Sequence, residues 1–579
     1  MKDGKMKFRK RAMMLIMALL CFSAIPLKAQ TWTPSVGTYT LTSAGWGNYF
    51  RVNGGGWYTA IGGFTMNTSN RDITINFNFT DAITINLSGT IVCTSGTINL
   101  NNIGSAPVTL RRSTTGPGGH LIVLDPVTNA APSTCVINIT GGEGHEIAID
   151  GNCHEMDFVY TNYDEPNPDC RVEATGYPIS GGSGQAIIGV HGGTLNMDYA
   201  ALQYNWTNGG VSGGGMVVGQ SSGSQGDGIK SKCLINIDHS KFDHLYTYGH
   251  GGGIYFNNRK RNNQPDPSDS HAYINNTEFS YCYSKYNTQN YPNSSYGGGA
   301  FRGMGDNLCT LDMEGGEIHH CYADDDGGGC RWNSSLIPPA TLTNTYIHDN
   351  WCGDMGGGIR VEGLIEIIGC TITDNRANHH GGGVAMANFV EGKPEHLMGE
   401  DQWDPSDGII SLNGNTLIEN NYAGLNGGGM HFSNAFIRFL ESPQSPNVIM
   451  RFFQHPDGTP FKVALDVSGA IIRDNLAGRD GGGVYMERET NLYGLEALLN
   501  FGSIYDNVAL RHGGGVAIEE ILQDDPYHNF DPNFDYYDPH THQHYNNLQP
   551  QPIFLHLGAE DETITTRKTT QLPTAVVSI

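Results

Sequence analysis

After residue 200 the chain contains nine Gly-Gly-Gly triplets, and the residues around them recur in a fixed order. The triplets begin at Gly213, Gly251, Gly297, Gly327, Gly356, Gly381, Gly427, Gly481 and Gly513. In seven repeats an apolar residue stands nine positions before the first glycine, at Phe242, Ile318, Ile347, Ile372, Ile418, Ile472 and Ile504. A repeat with this much detail predicts structural units stacked into an elongated solenoid.

Two further positions recur between the apolar residue and the glycines. An asparagine follows the apolar residue by three positions, at Asn350, Asn375, Asn421, Asn475 and Asn507. A small residue comes two positions later, at Ala323, Cys352, Ala377, Ala423, Ala477 and Ala509. Amide side chains at equivalent positions can bond to one another or to turn backbone. We therefore expect an asparagine ladder along the solenoid axis.

The repeat itself favours strands over helices. Its shortest complete unit, from Gly356 to His380, has 25 residues, which is too few for two helices and a turn. Apolar residues alternate with other residues after each triplet, a period of two that is typical of strands. Glycines suit the corners between strands because they adopt backbone conformations that other residues resist. We predict an all-β, parallel β-helix with about 25 residues in a coil of three short strands.

Two sequence elements resemble the repeats of the polymorphic outer-membrane protein family. The apolar-x-x-Asn element, as in Ile372–Asn375, is similar to the family's F-x-x-N motif, and Gly-Gly-Gly-[Val/Ile] is similar to its G-G-A-[I/L/V] motif. The resemblance covers about residues 240–520, and this chain has Gly where the family usually has Ala. It implies a right-handed, single-stranded parallel β-helix of the kind found in surface adhesins.

The beginning of the chain has the features of a secretory signal peptide. Residues 1–29 contain a basic run, an apolar stretch from Ala12 to Pro26, and the sequence Leu27-Lys28-Ala29. A membrane anchor is the alternative, but this apolar stretch is shorter than the roughly 20 residues that span a bilayer. No later segment is apolar enough to cross a membrane, so we expect no transmembrane segment after cleavage. The expected location is extracellular or on the outer cell surface.

The formal net charge of −25 limits the possible partners, and loss of residues 1–29 would make it more negative. Such a surface repels nucleic acid and anionic lipid. We therefore expect no nucleic-acid partner, and we expect a partner such as an extracellular glycan or a host or cell-surface protein.

The sequence divides into four parts. Residues 1–29 are the signal peptide, and residues 30–200 carry short β-rich runs that we interpret as N-terminal β-helix coils with a cap near Trp32–Trp57. A separate β-sandwich is the alternative for this part. Residues 201–520 form the glycine-triplet β-helix, and residues 521–579 form an acidic segment rich in His, Tyr and Pro.

Two cysteines occupy the asparagine position of successive repeats. Cys282 and Cys321 would lie one strand spacing apart, about 4.8 Å, which permits a disulfide. Stacked, buried thiols are the alternative that we favour. The cysteines show no Cys-x-x-Cys pairs and no spacing typical of a zinc site.

The strand after each triplet supplies the candidate ligand-binding residues. Its second position, predicted to face outward, reads Tyr255, Phe301, Arg331, Arg360, Ala385, His431, Tyr485 and Ala517. Long insertions follow the same strand, at 257–270, 387–407 and 433–460. Aromatic and guanidinium groups beside loops suit an extended glycan or peptide. The alternatives are ordinary strand preference and tolerated variation in loop length.

Two groups of residues are candidate metal ligands. Asp324, Asp325 and Asp326 abut a triplet near Asp349, Asp354 and Asp374, and their carboxylates could bind Ca²⁺. An ordinary solvated acidic cluster is the interpretation that we favour, because no fixed ligand spacing recurs. His540, His542 and His544 alternate and could bind Zn²⁺ or Ni²⁺, although an irregular surface loop is the simpler interpretation. The sequence requires no cofactor.

Two functions fit this pattern. The favoured hypothesis is a non-enzymatic, adhesin-like protein that presents an elongated binding face. The alternative is a polysaccharide lyase or glycoside hydrolase, which rests on analogy between folds. Arg331 or Arg360 near the acidic cluster could serve a lyase. Asp349 and Asp374 could form a hydrolase pair, but aspartate also precedes the asparagine at Asp474 and Asp506, which indicates a repeat feature.

Overall fold

The computed structural model describes most of the predicted repeats. The described residues are 32–43, 49–61, 63, 67–68, 72–116, 118–126, 135–154, 157–161, 171–175, 184–207, 212–219, 231–257, 270–285, 297–304, 309–333, 340–361, 365–387, 410–433, 463–466, 470–488, 495–498, 503–520, 536–538, 543–545 and 554–556. The predicted signal peptide and most of each long insertion lie outside them.

The described chain is all-β and forms a solenoid of stacked parallel strands, as the repeat predicts. Each coil visits three sheets in the order I, II, III. In the shortest coil, sheet I contributes Ile365–Ile368, sheet II contributes Thr371–Thr373 and Arg376–Ala377, and sheet III contributes Val384–Ala387. The described residues contain no helix, and therefore no helix that could span a membrane.

Sheet I runs the length of the solenoid. Its described strands, in spatial order, are Trp57–Thr59, Tyr49–Val52, Gly37–Ser43, Ile73–Asn78, Gly96–Asn102, Cys135–Thr140, Gly193–Asp198, Cys233–Asp238, Ser270–Asn275, Cys309–Glu314, Ala340–Thr343, Ile365–Ile368, Ile410–Asn413, Val463–Asp466, Leu495–Leu498 and Phe554–His556. The first three strands pair in antiparallel fashion and the others in parallel.

Sheet II has one strand per coil in the first part of the chain and two short strands per coil in the later part. The single strands are Ile83–Leu87, Val108–Arg112, Ile147–Asp150, Ala200–Thr207, Lys241–Thr247 and Glu278–Ser284. The paired strands are Glu317–His319 with Tyr322–Ala323, Tyr346–His348 with Trp351–Cys352, Thr371–Thr373 with Arg376–Ala377, Leu417–Glu419 with Tyr422–Ala423, Ile471–Arg473 with Leu476–Ala477, and Ser503–Tyr505 with Val508–Ala509.

Sheet III contains the strands that follow the glycines, preceded by shorter strands from the first part of the chain. They are Asn67–Thr68, Ile91–Cys93, Ile122–Leu124, Ile188–Val190, Met216–Gly219, Ile254–Asn257, Phe301–Met304, Cys330–Asn333, Ile359–Val361, Val384–Ala387, Met430–Ser433, Val484–Arg488 and Val516–Glu520. Two antiparallel hairpins, Asp157–Thr161 with Arg171–Thr175 and Tyr536–Asp538 with Gln543–Tyr545, lie outside the three sheets.

The first coils and the glycine repeats share one continuous set of sheets. Gly193–Asp198 pairs in parallel with Cys233–Asp238, and Ala200–Thr207 pairs with Lys241–Thr247. At the N-terminal end, the buried Trp32 packs edge-on against Tyr39 with ring centroids 5.1 Å apart. This end therefore carries an aromatic cluster beside the antiparallel strands.

The core is built from files of side chains that occupy the same position in successive coils. In sheet II the recurring apolar residue points inward, so Ile347 lies over Ile372 and Phe242 stacks on Phe279 at 4.7 Å. Both pairs are fully buried. Because each unit contacts mainly its neighbours, the apolar core continues along the axis instead of closing around one centre.

The recurring asparagines form the predicted ladder. The Nδ2 atom of Asn375 donates to Oδ1 of Asn421 at 3.1 Å, and Nδ2 of Asn421 donates to Oδ1 of Asn475 at 3.0 Å. Nδ2 of Asn421 also donates to the carbonyl oxygen of Ile372, and Oδ1 of Asn421 accepts from the backbone N–H of Asn375. These amides are at most 1 % exposed. They satisfy backbone groups at the break between the two sheet II strands.

A left-handed backbone conformation causes that break. The residue before the asparagine position of each repeat has a positive φ, close to 50° in every case, even where Leu245, Cys282 or Cys321 replaces the asparagine. These residues are Tyr204, His244, Tyr281, His320, Asp349, Asp374, Asn420, Asp474 and Asp506. Asp and Asn adopt this conformation more readily than most residues. The repeated aspartate is therefore a corner residue, in agreement with its interpretation as a repeat feature.

The glycines of each triplet have different roles. Gly427 has φ +71°, which favours glycine, whereas a Cβ atom on Gly428 would lie 2.5 Å from the carbonyl oxygen of Gly482 in the next coil. The second glycine is thus required by the close approach of neighbouring coils. The small residues that precede the triplet, such as Ala377, are buried against their equivalents.

Cys282 and Cys321 lie in the asparagine file, and both are free, buried thiols. The Sγ of Cys321 lies 3.3 Å from the carbonyl oxygen of His319. Burial, followed by the contact with Cys321, raises the pKa of Cys282 well above its ordinary value. The structure therefore contains the stacked thiols rather than the disulfide.

Replacement of Asn421 by Ala is expected to destabilise the solenoid by at least about 2 kcal/mol, because buried groups of Asn375 and Ile372 lose their partners. Urea unfolding measures this change. The matched control is Asn236→Ala, which interrupts a half-buried asparagine ladder on sheet I where water can replace the amide. Equal costs for the two variants would contradict a special role for the buried ladder.

Candidate functional site

The predicted ligand-binding file exists on sheet III, with one correction. Tyr255, Arg331, Arg360, His431 and Tyr485 all occupy the second position of their strands. Phe301 does not, because it pairs with Ile254 and Cys330 and belongs to the core.

Arg302 takes the position that was predicted for Phe301. The displacement arises at the third triplet, whose structural equivalent is Gly298-Gly299-Ala300: Gly298 has the positive φ of a first glycine, and Gly297 aligns with Asp326. A register change of one residue moves a side chain from one face of a strand to the other.

The file is buried, although it was predicted to face a ligand. Tyr255 and Arg331 are 4 % exposed, Arg360 is 6 %, His431 is 1 % and Tyr485 is 2 %. The residue before each glycine corner folds over the file in several coils. The ring of His250 stacks on Tyr255 at 5.2 Å, and His380 packs on His431 at 4.5 Å. Ligand binding by these residues stays a prediction, and it would require displacement of these contacts.

The predicted acidic cluster is only partly assembled. Carboxylate oxygens of Asp325, Asp326 and Asp354 lie within 4.8 Å of one another, whereas Asp324 accepts a hydrogen bond from the Tyr283 hydroxyl at 2.7 Å. Asp354 comes from the next coil. This trio offers the oxygen ligands that Ca²⁺ prefers.

A cation already faces the acidic trio. Nη1 of Arg331 lies 2.8 Å from Asp326 and 3.9 Å from Asp325. Nδ1 of His379 donates a hydrogen bond to the carboxylate of Asp354 at 2.8 Å. Calcium binding at this corner stays a prediction. The other predicted ligands, His540 and His542, lie outside the described residues, and His544 is in the short strand Gln543–Tyr545.

The sequence analysis missed a second file, which lies on the outside of sheet II. The rings of His154, Tyr204, His244, Tyr281 and His320 follow one another at centroid distances of 4.3, 5.1, 4.8 and 5.1 Å. We call these five residues the ring file. Four of them occupy the left-handed corner position before the asparagine file. That position carries Tyr or His in the earlier coils and Asp or Asn later, a change that the sequence does show.

Charged side chains flank the ring file. Lys241 pairs with Glu278 at 2.8 Å, and Glu278 also contacts Nε2 of His319 at 3.2 Å. The hydrogen bond from His319 is the main reason that the pKa of Glu278 falls to about 2. His348 contacts Glu317 at 2.6 Å and Asp349 at 2.7 Å.

The pKa of His348 is raised, because these two carboxylates together outweigh its burial, which acts to lower the pKa. The outside of sheet II beside the ring file therefore carries acidic side chains next to lysine and histidine side chains. Because the rings pack on one another, their faces are covered by neighbouring rings, and the file suits hydrogen bonding to a ligand more than stacking on it. The rings of the file from Tyr204 to His320 are half-buried and so remain accessible.

Comparison with known proteins does not assign the chain to a family. No family model matches it, and searches of curated proteins and of solved structures found no significant match.

A pH dependence of stability follows from the buried His431. Burial, and then the charge of Arg360, lowers the pKa of His431 to about 3, against about 6.5 in an unfolded chain. Between these values the unfolded state binds the extra proton, so stability falls as the pH drops below about 6.5, by up to about 1.4 kcal/mol per pH unit.

His431→Phe is expected to remove this contribution, as measured by urea unfolding at pH 7.5, 6.5 and 5.5. The control is His271→Phe, because His271 is half-buried on sheet I and contacts Asp312. An unchanged pH slope in His431→Phe would show that His431 is not held neutral by burial.

Proposed function

We propose that this chain is an exported, adhesin-like protein that binds an extended extracellular glycan or a cell-surface protein along the outside of sheet II. We further propose that it is a right-handed, single-stranded parallel β-helix with about 25 residues in its shortest coils, related to the polymorphic outer-membrane protein repeats. The signal-peptide features of residues 1–29 and the strongly negative charge support export and an extracellular partner.

The observation that carries this proposal is the accessible ring file with its flanking charges. Tyr204, His244, Tyr281 and His320 repeat at successive coils, which are spaced by about 4.8 Å in parallel sheets. An extended polymer laid along the axis would meet similar donors and acceptors in each coil. The sheet III file offers no equivalent surface, since its side chains are buried.

The enzymatic alternative is less favoured by the geometry. A catalytic base must reach the proton that it abstracts. Arg331 is buried and forms an ion pair with Asp326, so its guanidinium group is engaged within the protein. Asp349 and Asp374 occupy corner positions with positive φ, which explains their presence without catalysis.

The ligand for this test is the one found by screening the protein on a glycan array or a cell-surface protein array. The double variant His244→Ala/Tyr281→Ala is expected to raise the dissociation constant of that ligand by about tenfold or more, which corresponds to a loss of about 1.4 kcal/mol in binding free energy for each factor of ten. Isothermal titration calorimetry with that ligand measures the loss. The matched control is Tyr273→Ala, since Tyr273 is 42 % exposed on sheet I. Equal losses in both variants would contradict binding on sheet II.

A parallel activity screen on uronate polymers distinguishes the two functions. Cleavage that disappears in Arg331→Ala would replace the binding proposal by the enzymatic one.

A further inference from the structure

Two consecutive histidines at the end of the ring file face each other. His319 ends the strand Glu317–His319, and His320 follows in the left-handed conformation with φ +51°. Consecutive side chains in a regular strand point to opposite faces. The left-handed corner changes this direction, so both rings lie half-buried on the outside of sheet II. Their Nδ1 atoms are 2.9 Å apart.

The surroundings orient both rings. Nε2 of His319 contacts Oε1 of Glu278. In this arrangement Nε2 carries the proton and donates a hydrogen bond to the carboxylate, so Nδ1 of His319 keeps its lone pair. His348 stacks on His319 at 5.2 Å with an interplanar angle of 4°, and Tyr281 packs on His320 at 5.1 Å. A carboxylate on the second nitrogen is the arrangement that orients metal-ligating histidines.

We propose that His319 and His320 bind a divalent transition-metal ion, Cu²⁺ or Ni²⁺, through their two Nδ1 atoms. Binding requires the tautomer of His320 that is protonated at Nε2, so the proton now shared between the Nδ1 atoms moves to Nε2 through solvent. Glu278 holds His319 in the matching tautomer. Solvent molecules complete the coordination, since both rings are partly exposed.

The separation of the nitrogens selects the kind of ion. Metal–nitrogen bonds of about 2.0–2.1 Å to two atoms 2.9 Å apart enclose an angle of about 90°. This is the angle between neighbouring ligands in square-planar and octahedral complexes, whereas tetrahedral Zn²⁺ needs a wider one. Tetragonal sites with nitrogen and oxygen ligands favour Cu²⁺ and Ni²⁺.

Burial is the largest influence on the pKa of His320 and lowers it from its ordinary value. The other pair of consecutive histidines, His379 and His380, lacks this arrangement. Their ring centroids are 6.2 Å apart, and Nδ1 of His379 contacts Asp354. The proposal does not depend on polymer binding along sheet II, because it concerns two neighbouring side chains and their carboxylate partner.

The test is calorimetric titration of the full chain with Cu²⁺, Ni²⁺ and Zn²⁺ separately. His540, His542 and His544 are replaced by Ala in every protein, so that the C-terminal histidines do not contribute. One site that binds Ni²⁺ more tightly than Zn²⁺ is expected. His319→Gln and His320→Gln should each abolish it, and Glu278→Gln should weaken it by about 10–100-fold.

The matched control is His271→Gln, which removes a histidine–carboxylate pair without a second histidine and should leave metal binding unchanged. Electron paramagnetic resonance is measured on the Cu²⁺ complex of the protein that retains both His319 and His320, and it should show two nitrogen ligands. This measurement does not depend on whether the His319 and His320 variants fold. A complex with no nitrogen ligand, tighter binding of Zn²⁺ than of Ni²⁺, or retention of the site in His320→Gln would each overturn the proposal.

Discussion

Pairing of the backbone between coils is the interaction on which this structure depends. A strand of two to eight residues that has no partner within its own coil can pair its N–H and C=O groups only with the coils before and after it. Parallel pairing achieves this along all three sheets. Where the left-handed corner interrupts sheet II, the asparagine side chains supply the missing donors and acceptors. The same pairing fixes the register that aligns each file of side chains.

Strict register explains which parts of the structure were predictable. The asparagine ladder and the buried apolar file follow from the spacing of residues such as Ile372 and Asn375, since equivalent positions must coincide when units stack. Phe301 was misplaced for the same reason: with four small residues in a row, Gly297 to Ala300, the sequence does not show which glycine begins the corner. The backbone does, because Gly298 has the positive φ.

The candidate site was harder to predict because it depends on how side chains of different coils fill space. The alternating pattern of the sheet III strand indicates that Tyr255 and His431 face away from the core. It does not indicate that His250 and His380 pack over them. The acidic cluster needs Asp354 from the next coil. The ring file was missed because tyrosine and histidine replace the usual Asp or Asn at a position chosen by backbone conformation, where aromatic residues are less expected.

The asparagine ladder also has a direction. From Asn350 to Asn475, each side-chain amide donates one hydrogen bond to the side-chain oxygen of the asparagine in the next coil, so the amide-to-amide bonds all run in the same direction. Aligned amide dipoles add, as they do along a helix axis, and bonds in such chains polarise one another. The interior of the solenoid therefore carries an electrostatic polarity, positive toward the last rung and negative toward the first, within a protein whose formal net charge is −25.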